Sequence, residues 1–268
     1  MPSVLDQIID GVREDLSGRE AVTSLERLQR QCDGMPAPRD AEALLRRPGL
    51  AVIAEVKRAS PSKGALSDIP DPAALASAYA KGGATAISVL TEERRFGGSL
   101  ADLDAVRAAV DVPLLRKDFV VTEYQVHEAR AHGADIVLLI VAALSESQLA
   151  ELHGLATELG MAVLVEAHTP DEVAAAAALE APLIGINTRN LKDLTVDLAR
   201  FAPLAADCPP AAVLVGESGV TDAGDVTAFA DAGADLALVG EALVTGGRPQ
   251  EAVAEFTAAG RAAVAAHR

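Results

Sequence analysis

Eight short apolar runs recur along the chain at nearly even spacing, and this repeat limits the folds open to it. The runs start between Ala51 and Asp235, so one unit averages about 26 residues, close to the size of a strand–helix unit. Each run is almost continuously apolar, which is typical of parallel strands covered on both faces. The runs are "AVIAEVK" from Ala51, "ATAISVL" from Ala84, "VPLLRKD" from Val112, "DIVLLIV" from Asp135, "MAVLVEA" from Met161, "PLIGINT" from Pro182, "AVLVGES" from Ala212 and "DLALVGE" from Asp235.

Helical patterns fill the gaps between these runs. "PAALASAYAK" begins at Pro72 and stops at Gly82, and Ser145 is placed to cap "ESQLAELHGLATEL". Thr169 precedes a proline that opens the next helix, and Thr221 is expected to introduce "DAGDVTAFADAG". Eight strands alternating with helices predict an α/β fold of the (β/α)8 barrel type. A doubly wound open sheet is the alternative, and it rarely needs eight such even units.

Residues 1–48 fall outside the repeat and read as helix. Val4, Ile8 and Val12 keep one helical phase, and the segment ends near Pro48. We predict a single barrel domain over residues 1–268, in which this N-terminal extension covers part of the carboxyl ends of the strands.

Composition and cysteine content limit where this protein acts and what it binds. The 268 residues are 50% hydrophobic, enough for a large core, and the net charge of -16 disfavours nucleic-acid binding, which needs surplus Lys and Arg. Cys32 and Cys208 make neither a disulfide framework nor a CxxC pair. Neither a secretory signal nor an apolar stretch of about 18 residues is found. We expect a cytoplasmic protein with no membrane partner, and a monomer.

Polar side chains follow five of the eight runs. Because side chains alternate along a strand, Ile53, Glu55 and Lys57 share one face. If Ile53 points into the barrel, Glu55 and Lys57 do so too, and their opposite charges compensate each other. Active sites of parallel barrels lie at this end of the strands, so we predict a catalytic mouth. The other polar strand ends are Arg116-Lys117-Asp118, Glu166, Asn187 and Glu217.

Two glycine turns follow the last two strands. Ser218 and Gly219 lead into one predicted helix, and Gly240 leads into a short one. Backbone N–H groups at helix starts bind anions, and these two loops are the usual phosphate position in such barrels. We predict that a phosphate group binds there.

Six of these segments together resemble the indole-3-glycerol-phosphate synthase family of the tryptophan pathway. They are "EVKRASPSKG", "LLRKDFV", "LLIVAAL", "VLVEAH", "IGINTRNL" and "GESGV". The resemblance implies a carboxy-lyase that converts 1-(2-carboxyphenylamino)-1-deoxyribulose 5-phosphate to indole-3-glycerol phosphate, CO2 and water. It implies a small phosphorylated substrate and no metal or organic cofactor.

The chemistry fits these residues. Ring closure onto a ketone needs an acid, and Lys117 can serve if neighbouring cations or burial lower its pKa toward neutrality. Glu166 is a candidate base for the dehydration, Lys57 can stabilise developing charge or assist as acid, and Glu55 would hold the lysines. The resemblance supports Lys117 and Glu166 in these roles, and the sequence leaves open which lysine acts at which step.

The remaining candidates bind substrate. Asn187 can hydrogen-bond the reacting hydroxyl or ketone, with Glu217 in the same network. The resemblance assigns Ser60 and Arg189 to the anthranilate carboxylate, and Phe96 and Phe119 would flank the aromatic ring. The carboxylate of Glu241, beside Gly240, is expected to turn away from a phosphate.

Several polar residues receive a structural interpretation instead. His127 and His132 are expected to be surface or helix-packing residues, His153 lies in the middle of a predicted helix, and no spacing supports zinc. For His168, which follows Glu166, a supporting role near the site is the less favoured interpretation, and Asp118 has the opposite strand parity and is expected to brace the barrel. The rival functions are a phosphoribosylanthranilate isomerase, which would need a Cys/Asp pair at the strand ends, and a barrel without catalysis.

Overall fold

In the computed structural model, which describes residues 3–46, 49–190 and 194–266, eight parallel strands form a closed barrel. Each barrel strand pairs with its neighbours in the chain, and the last pairs with the first. All eight apolar runs are strands, so the predicted (β/α)8 fold is confirmed and the open sheet is wrong. The strands are β1 (Ala51–Val56), a hairpin of β2 (Ala59–Ser60) and β3 (Gly64–Ala65), then β4 (Ala86–Leu90), β5 (Leu114–Lys117), β6 (Ile136–Ile140), β7 (Ala162–Ala167), β8 (Leu183–Asn187), β9 (Val213–Glu217) and β10 (Leu236–Val239).

Helices pack around the barrel between these strands. They are α1 (Val4–Val22), α2 (Leu25–Asp33), α3 (Ala41–Leu45), α4 (Pro72–Gly82), α5 (Leu100–Ala109), α6 (Glu123–Ala131), α7 (Glu146–Glu158), α8 (Pro170–Ala178), α9 (Phe201–Ala206), α10 (Ala223–Asp231), α11 (Glu241–Val244) and α12 (Pro249–Ala266). Two short 3-10 turns, Val141–Ala143 and Leu198–Arg200, precede α7 and α9. None of the helices in the described part of the chain is long and apolar enough to cross a membrane.

The predicted helix ends are confirmed with one exception. Ser145 caps α7 through a reciprocal capping box, and Thr169 caps α8. The cap of α10 is Asp222, not Thr221, because the Asp222 carboxylate accepts the N–H groups of Gly224 and Asp225. Thr221 instead donates its own N–H and hydroxyl to the Asp225 carboxylate.

Because side chains alternate along each strand, the core has one layer inside the barrel and one between the strands and the helices. Ile53 belongs to the cluster inside the barrel, whereas Val52, Ala54 and Val56 pack outward against the helices. Glu55, with the parity of Ile53, therefore points inward one layer nearer the carboxyl end, as predicted.

The N-terminal extension reaches both ends of the barrel. Leu5 and Ile9 of α1 pack with Val121 beside the carboxyl ends of the strands. Ala41 and Leu45 of α3 join the cluster inside the barrel, so α3 contributes to that core, a contact the sequence pattern did not predict. The predicted end of the extension at Pro48 lies outside the described residues.

Candidate active site

The carboxyl ends of β5, β7 and β9 bring one ammonium group and two carboxylates together. Lys117 Nζ donates a hydrogen bond to Glu166 Oε2 at 3.0 Å and lies 3.5 Å from Glu217 Oε2. Both carboxylates are buried, and the Lys117 side chain is 15% exposed. Three strands of the barrel thus supply one charged cluster, in which positive charge is shared between two carboxylates.

The surroundings of Lys117 raise its pKa instead of lowering it. Burial by itself would lower the pKa of Lys117, but the carboxylates of Glu166, Glu217 and Glu55 outweigh burial and raise it. A lowered pKa of Lys117 is not found because carboxylates, not cations, surround this side chain. Lys117 is therefore held in its protonated form.

The two carboxylates differ in their affinity for a proton. Burial alone would raise the pKa of Glu166, but the charges of Lys117 and His168 hold it well below its usual range. Burial, and then the negative charge of Glu166, raises the pKa of Glu217 to about 8. At neutral pH the cluster therefore contains an ionised Glu166 and a largely protonated Glu217.

Glu55 and Lys57 form the second charged pair of the mouth. The Lys57 ammonium donates to Glu55 Oε1, so the two charges on β1 compensate each other as the alternation predicts. A Cβ atom at Gly240 would lie 2.8 Å from Glu55 Oε1 and 3.4 Å from Lys57 Nζ. This pair therefore lies directly against the backbone of the loop after β10.

A cavity of about 660 Å³ opens at this end of the barrel. Apolar side chains of α1, including Leu5 and Ile8, form part of its wall. All the side chains and glycines named from the sequence as site residues line this cavity. They are Glu55, Lys57, Ser60, Phe96, Lys117, Phe119, Glu166, Asn187, Arg189, Glu217, Ser218, Gly219 and Gly240.

Arg189 and Ser60 are brought together through a third residue. Arg189 Nη1 donates to Ser62 Oγ at 3.2 Å, and the Ser62 and Ser60 hydroxyl oxygens are 3.4 Å apart. The backbone N–H of Arg189 donates to Asn187 Oδ1 at 3.0 Å. These contacts connect the β2–β3 hairpin to the loop after β8, with one guanidinium at the cavity wall.

The two predicted aromatic residues are adjacent. The ring centroids of Phe96 and Phe119 are 6.1 Å apart, and the rings are tilted by 42°. The loop that carries Phe96 is fixed by Glu92, whose Oε2 accepts the N–H groups of Arg95 and Phe96. The rings form an apolar wall on one side of the cavity.

The loop after β9 has two consecutive residues in the left-handed backbone region. Ser218 and Gly219 both have positive φ, 68° and 87°, and the Thr188 hydroxyl donates to the carbonyl oxygen of Ser218. The glycine at 219 also gives space, since a Cβ there would lie 2.8 Å from Val196 Cγ1. Beside the other loop, the Glu241 carboxylate turns to Lys63 Nζ at 2.6 Å, as expected of a group that avoids an anion.

The sequence matches one family along nearly its whole length. The family described as "Indole-3-glycerol phosphate synthase" matches residues 5–256. The chain belongs to the indole-3-glycerol phosphate synthase family. Its reaction is therefore the ring closure, decarboxylation and dehydration that the resemblance implied, a carboxy-lyase step of tryptophan biosynthesis.

Relatives within the family are close in sequence and in length. An indole-3-glycerol phosphate synthase of Micrococcus luteus is 60% identical over 262 residues, covering 96% of this chain and 98% of the relative. One of Mycolicibacterium gilvum is 58% identical over 258 residues, covering 96% of this chain and 95% of the relative.

Similar solved structures share the fold alone. A 3-hexulose-6-phosphate synthase of Salmonella typhimurium has a TM-score of 0.62 at 15% identity, with 82% of this chain and 100% of that chain covered. A thiamine phosphate pyrophosphorylase of Pyrococcus furiosus has a TM-score of 0.61 at 15% identity, with 84% and 99% covered.

Two residues of the predicted mouth lie outside the Lys117 cluster, although Asp118 also lines the cavity. Arg116 lies outside the barrel, fully buried against α6, and forms ion pairs with Asp118 and Glu128. Asp118 also accepts the Thr91 hydroxyl and the N–H of Phe119, so it braces the barrel as its parity predicts. The prediction of a polar end for this strand was thus correct, but of Arg116, Lys117 and Asp118 only Lys117 forms part of the charged cluster.

Three contacts at this cavity were missed or undervalued from the sequence. Ser62 holds Arg189, Lys63 holds Glu241, and His168 lies against Glu166. The parity of residues 166 and 168 was the available signal for the last of these. His127, His132 and His153 lie on or at the end of helices and do not line the cavity, as predicted.

Proposed function

We propose that Lys117 and Glu166 are the acid and the base of the indole-3-glycerol phosphate synthase reaction in this chain. The observation that carries the proposal is the Lys117–Glu166 pair, with Glu217 beside it, at the end of a cavity large enough for a phosphorylated sugar bearing one aromatic ring. An acid fully protonated at neutral pH faces a carboxylate that is fully ionised.

The substrate spans the cavity between two loops and an apolar wall. Its phosphate binds the backbone N–H groups of Ser218, Gly219 and Gly240, and Lys57 is close enough to Gly240 to add positive charge. Its aromatic ring lies against Phe96 and Phe119. Its carboxylate faces the polar side of the cavity wall, which is formed by Ser60 and Arg189.

Ring closure is the first chemical step. The ring carbon that bears the carboxylate attacks the ketone carbon, and the ketone oxygen takes a proton from the Lys117 ammonium as the new bond forms. The raised pKa of Lys117 does not prevent this transfer, because the developing alkoxide is more basic than an amine. Asn187 accepts the Arg189 N–H through Oδ1, so its NH2 group is the one that donates to the reacting oxygen.

Decarboxylation and dehydration complete the indole. The carbon–carboxylate bond breaks, CO2 leaves, and the electron pair returns to the ring. The new hydroxyl then leaves as water with a proton from Lys117 or Lys57, while Glu166 takes a proton from the carbon next to nitrogen. Glu217, largely protonated at neutral pH, supplies the network with an exchangeable proton. One proton is taken up from solvent in total.

The direct test is turnover. Purified chain given 1-(2-carboxyphenylamino)-1-deoxyribulose 5-phosphate should form a fluorescent indole product and release one CO2 per product. Phosphoribosylanthranilate should not be isomerised, because Lys57 and Asn187 occupy the strand ends where that rival needs a Cys/Asp pair. Isomerisation without indole formation would favour the rival enzyme, and no product from either substrate would favour a barrel without catalysis.

The phosphate position makes a separate prediction. Gly219→Val should raise KM for the substrate by roughly tenfold or more, because the added side chain meets Val196 and Leu198 and a positive φ disfavours valine. Gly233→Ala is the matched control, since Gly233 also has positive φ but lies after α10 with open space around it. An unchanged KM in a folded Gly219→Val protein would place the phosphate elsewhere.

The oligomeric state, the cellular location and the binding partners of the enzyme are part of the same proposal. We propose a monomer of one domain that acts in the cytoplasm and does not bind nucleic acid. Support comes from the two cysteines, which are both free, and from the surface of the described residues, where only Val22 and Val196 are large hydrophobic side chains with high exposure. The net charge of -16 is the reason for proposing that the protein does not bind nucleic acid.

A further inference from the structure

His168 is a buried titratable residue that the reaction above does not use. It directly follows β7, is only 4% exposed, and has the strand parity of Glu166. It does not line the substrate cavity. Any effect of His168 on the reaction therefore passes through the residues it contacts.

Contacts from three elements fix this histidine. Its Nε2 lies 3.3 Å from Glu166 Oε1 on β7, in ion-pair contact without full hydrogen-bond alignment. Its Nδ1 is 3.1 Å from Glu172 Oε2 on α8, and the same oxygen accepts the His168 backbone N–H at 2.8 Å. Arg200 of the second 3-10 turn donates to the His168 carbonyl oxygen at 2.8 Å. These contacts fix both the imidazole ring and the backbone of His168.

The two carboxylates determine the protonation state of the ring. An ionised carboxylate only accepts hydrogen bonds, so a ring nitrogen that faces one must carry a proton. Both nitrogens of His168 face carboxylates, which requires the imidazolium. Burial by itself would lower the pKa of His168, but Glu166 and Glu172 outweigh burial and raise it to about 9. The positive charge is therefore present through the neutral range.

The contacts divide the two oxygens of Glu166 between two cations. Oε2 accepts from Lys117, and Oε1 faces His168. We propose that His168 is a positioning residue that keeps Glu166 ionised and directs its Oε2 oxygen toward Lys117. The inference rests on the role of Glu166 as base proposed above.

Two substitutions separate this role from simple packing. His168→Asn places an amide NH2 near the position of Nδ1, toward Glu172, whereas His168→Gln places one near Nε2, toward Glu166. We expect kcat to fall by roughly tenfold or more in His168→Asn and by less in His168→Gln, with KM unchanged in both. A merely structural role would favour the Asn variant, which keeps the contact with α8.

The pH profile provides a second measurement. Without the imidazolium the pKa of Glu166 rises, so the acid limb of the kcat profile should move to higher pH in both variants. His132→Asn is the control, because His132 is at the end of α6, paired with Asp104, and should leave kcat and the profile unchanged.

Glu166→Gln, measured in parallel, distinguishes the two proposals. Full turnover by Glu166→Gln would overturn the role of Glu166 itself. Loss of turnover in Glu166→Gln, together with an unchanged kcat and pH profile in His168→Asn, would overturn only the role of His168.

A spectroscopic measurement applies even if the His168 variants fail to fold. In wild-type protein with ¹⁵N-labelled histidine, one of the five imidazoles should remain fully protonated at about pH 7.5. Glu172→Gln, a change on the first turn of α8, should lower the pKa of that imidazole. Five neutral imidazoles at this pH in the wild type would contradict the inference.

Discussion

Lys117→Ala is expected to lower kcat by roughly 10²–10⁴-fold, the usual loss for a general acid, while the protein stays folded. The reason is positional, because Lys117 Nζ is the cation that bridges Glu166 and Glu217 at the end of the cavity. Its removal takes away the proton donor for the ketone oxygen and also the positive charge that keeps Glu166 ionised. The second effect should also raise the pKa of Glu166 and move the acid limb of the kcat profile upward.

Comparison of the two lysines of the mouth decides which one is the acid. Lys57 is paired with Glu55 and lies against Gly240, so Lys57→Ala should raise KM more than it lowers kcat. Lys117→Arg should not restore activity, because a guanidinium cannot give up its proton near neutral pH. Lys81→Ala, on the exposed last turn of α4, is the control for the loss of one lysine.

The fluorescence assay gives kcat and KM for each variant, and circular dichroism gives the folded fraction. A Lys117→Ala protein with near-normal kcat, together with a Lys57→Ala protein that has lost it, would assign the acid to the other lysine. Residual activity in Lys117→Ala with an altered pH profile is expected, since Lys57 or water can donate in part.

The fold and the membership of the mouth were predictable from local rules. Eight continuous apolar runs need cover on both faces, and the parity of Ile53 carries Glu55 and Lys57 inward. Both rules depend only on neighbours in the chain. The same rule predicted that Asp118 faces away from the cluster, where it pairs with Arg116.

The electrostatics of the site could not be predicted in the same way. The pKa of Lys117 depends on carboxylates from β1, β7 and β9, which are distant in sequence. Their combined effect on the pKa has the opposite sign to the effect of burial, so the lowering considered from the sequence does not occur. The neutral form of Glu217 depends on its approach to Glu166, which is also a property of the closed barrel. Parity shows which residues face inward, but the distances between them come from the barrel.

The outward side of β5 was also beyond the sequence pattern. Arg116 stands next to Lys117 in a strand end that looks uniformly polar, and nothing local marks it as buried. Its partners Gln125 and Glu128 come from α6, and Glu128 also accepts from Arg19 of α1. The network connects the N-terminal helix to the strand that carries Lys117, through side chains whose spacing in sequence has no pattern.

Arg116→Met is expected to cause the largest loss of stability among these changes. The Arg116 side chain is 1% exposed, and its guanidinium lies 2.9 Å from Asp118 Oδ2 and 2.8 Å from Glu128 Oε2. Methionine fills a similar volume but leaves both carboxylates buried without their shared cation. Removing one partner of a buried ion pair costs about 3–5 kcal/mol, and the unfolding midpoint in urea should fall accordingly.

Two comparisons separate this electrostatic cost from packing. Arg94→Met is the matched control, because Arg94 also contacts two carboxylates, those of Glu14 and Asp15, but at the surface, and the urea midpoint should change little. Adding Glu128→Gln to Arg116→Met should recover part of the lost stability, since it removes one of the two carboxylates that lose the Arg116 charge. The recovery should be partial, because Arg19 still contacts Glu128 in Arg116→Met.

The loss of stability in Arg116→Met should also depend on pH. With Arg116 absent, the two buried carboxylates are destabilising when ionised, so acid should relieve part of the cost by protonating them. The stability difference between Arg116→Met and wild type is therefore expected to be smaller at about pH 5 than at about pH 8. A loss that is equal at both pH values, and that Glu128→Gln does not reduce, would show that Arg116 stabilises the barrel by filling space and not by neutralising charge.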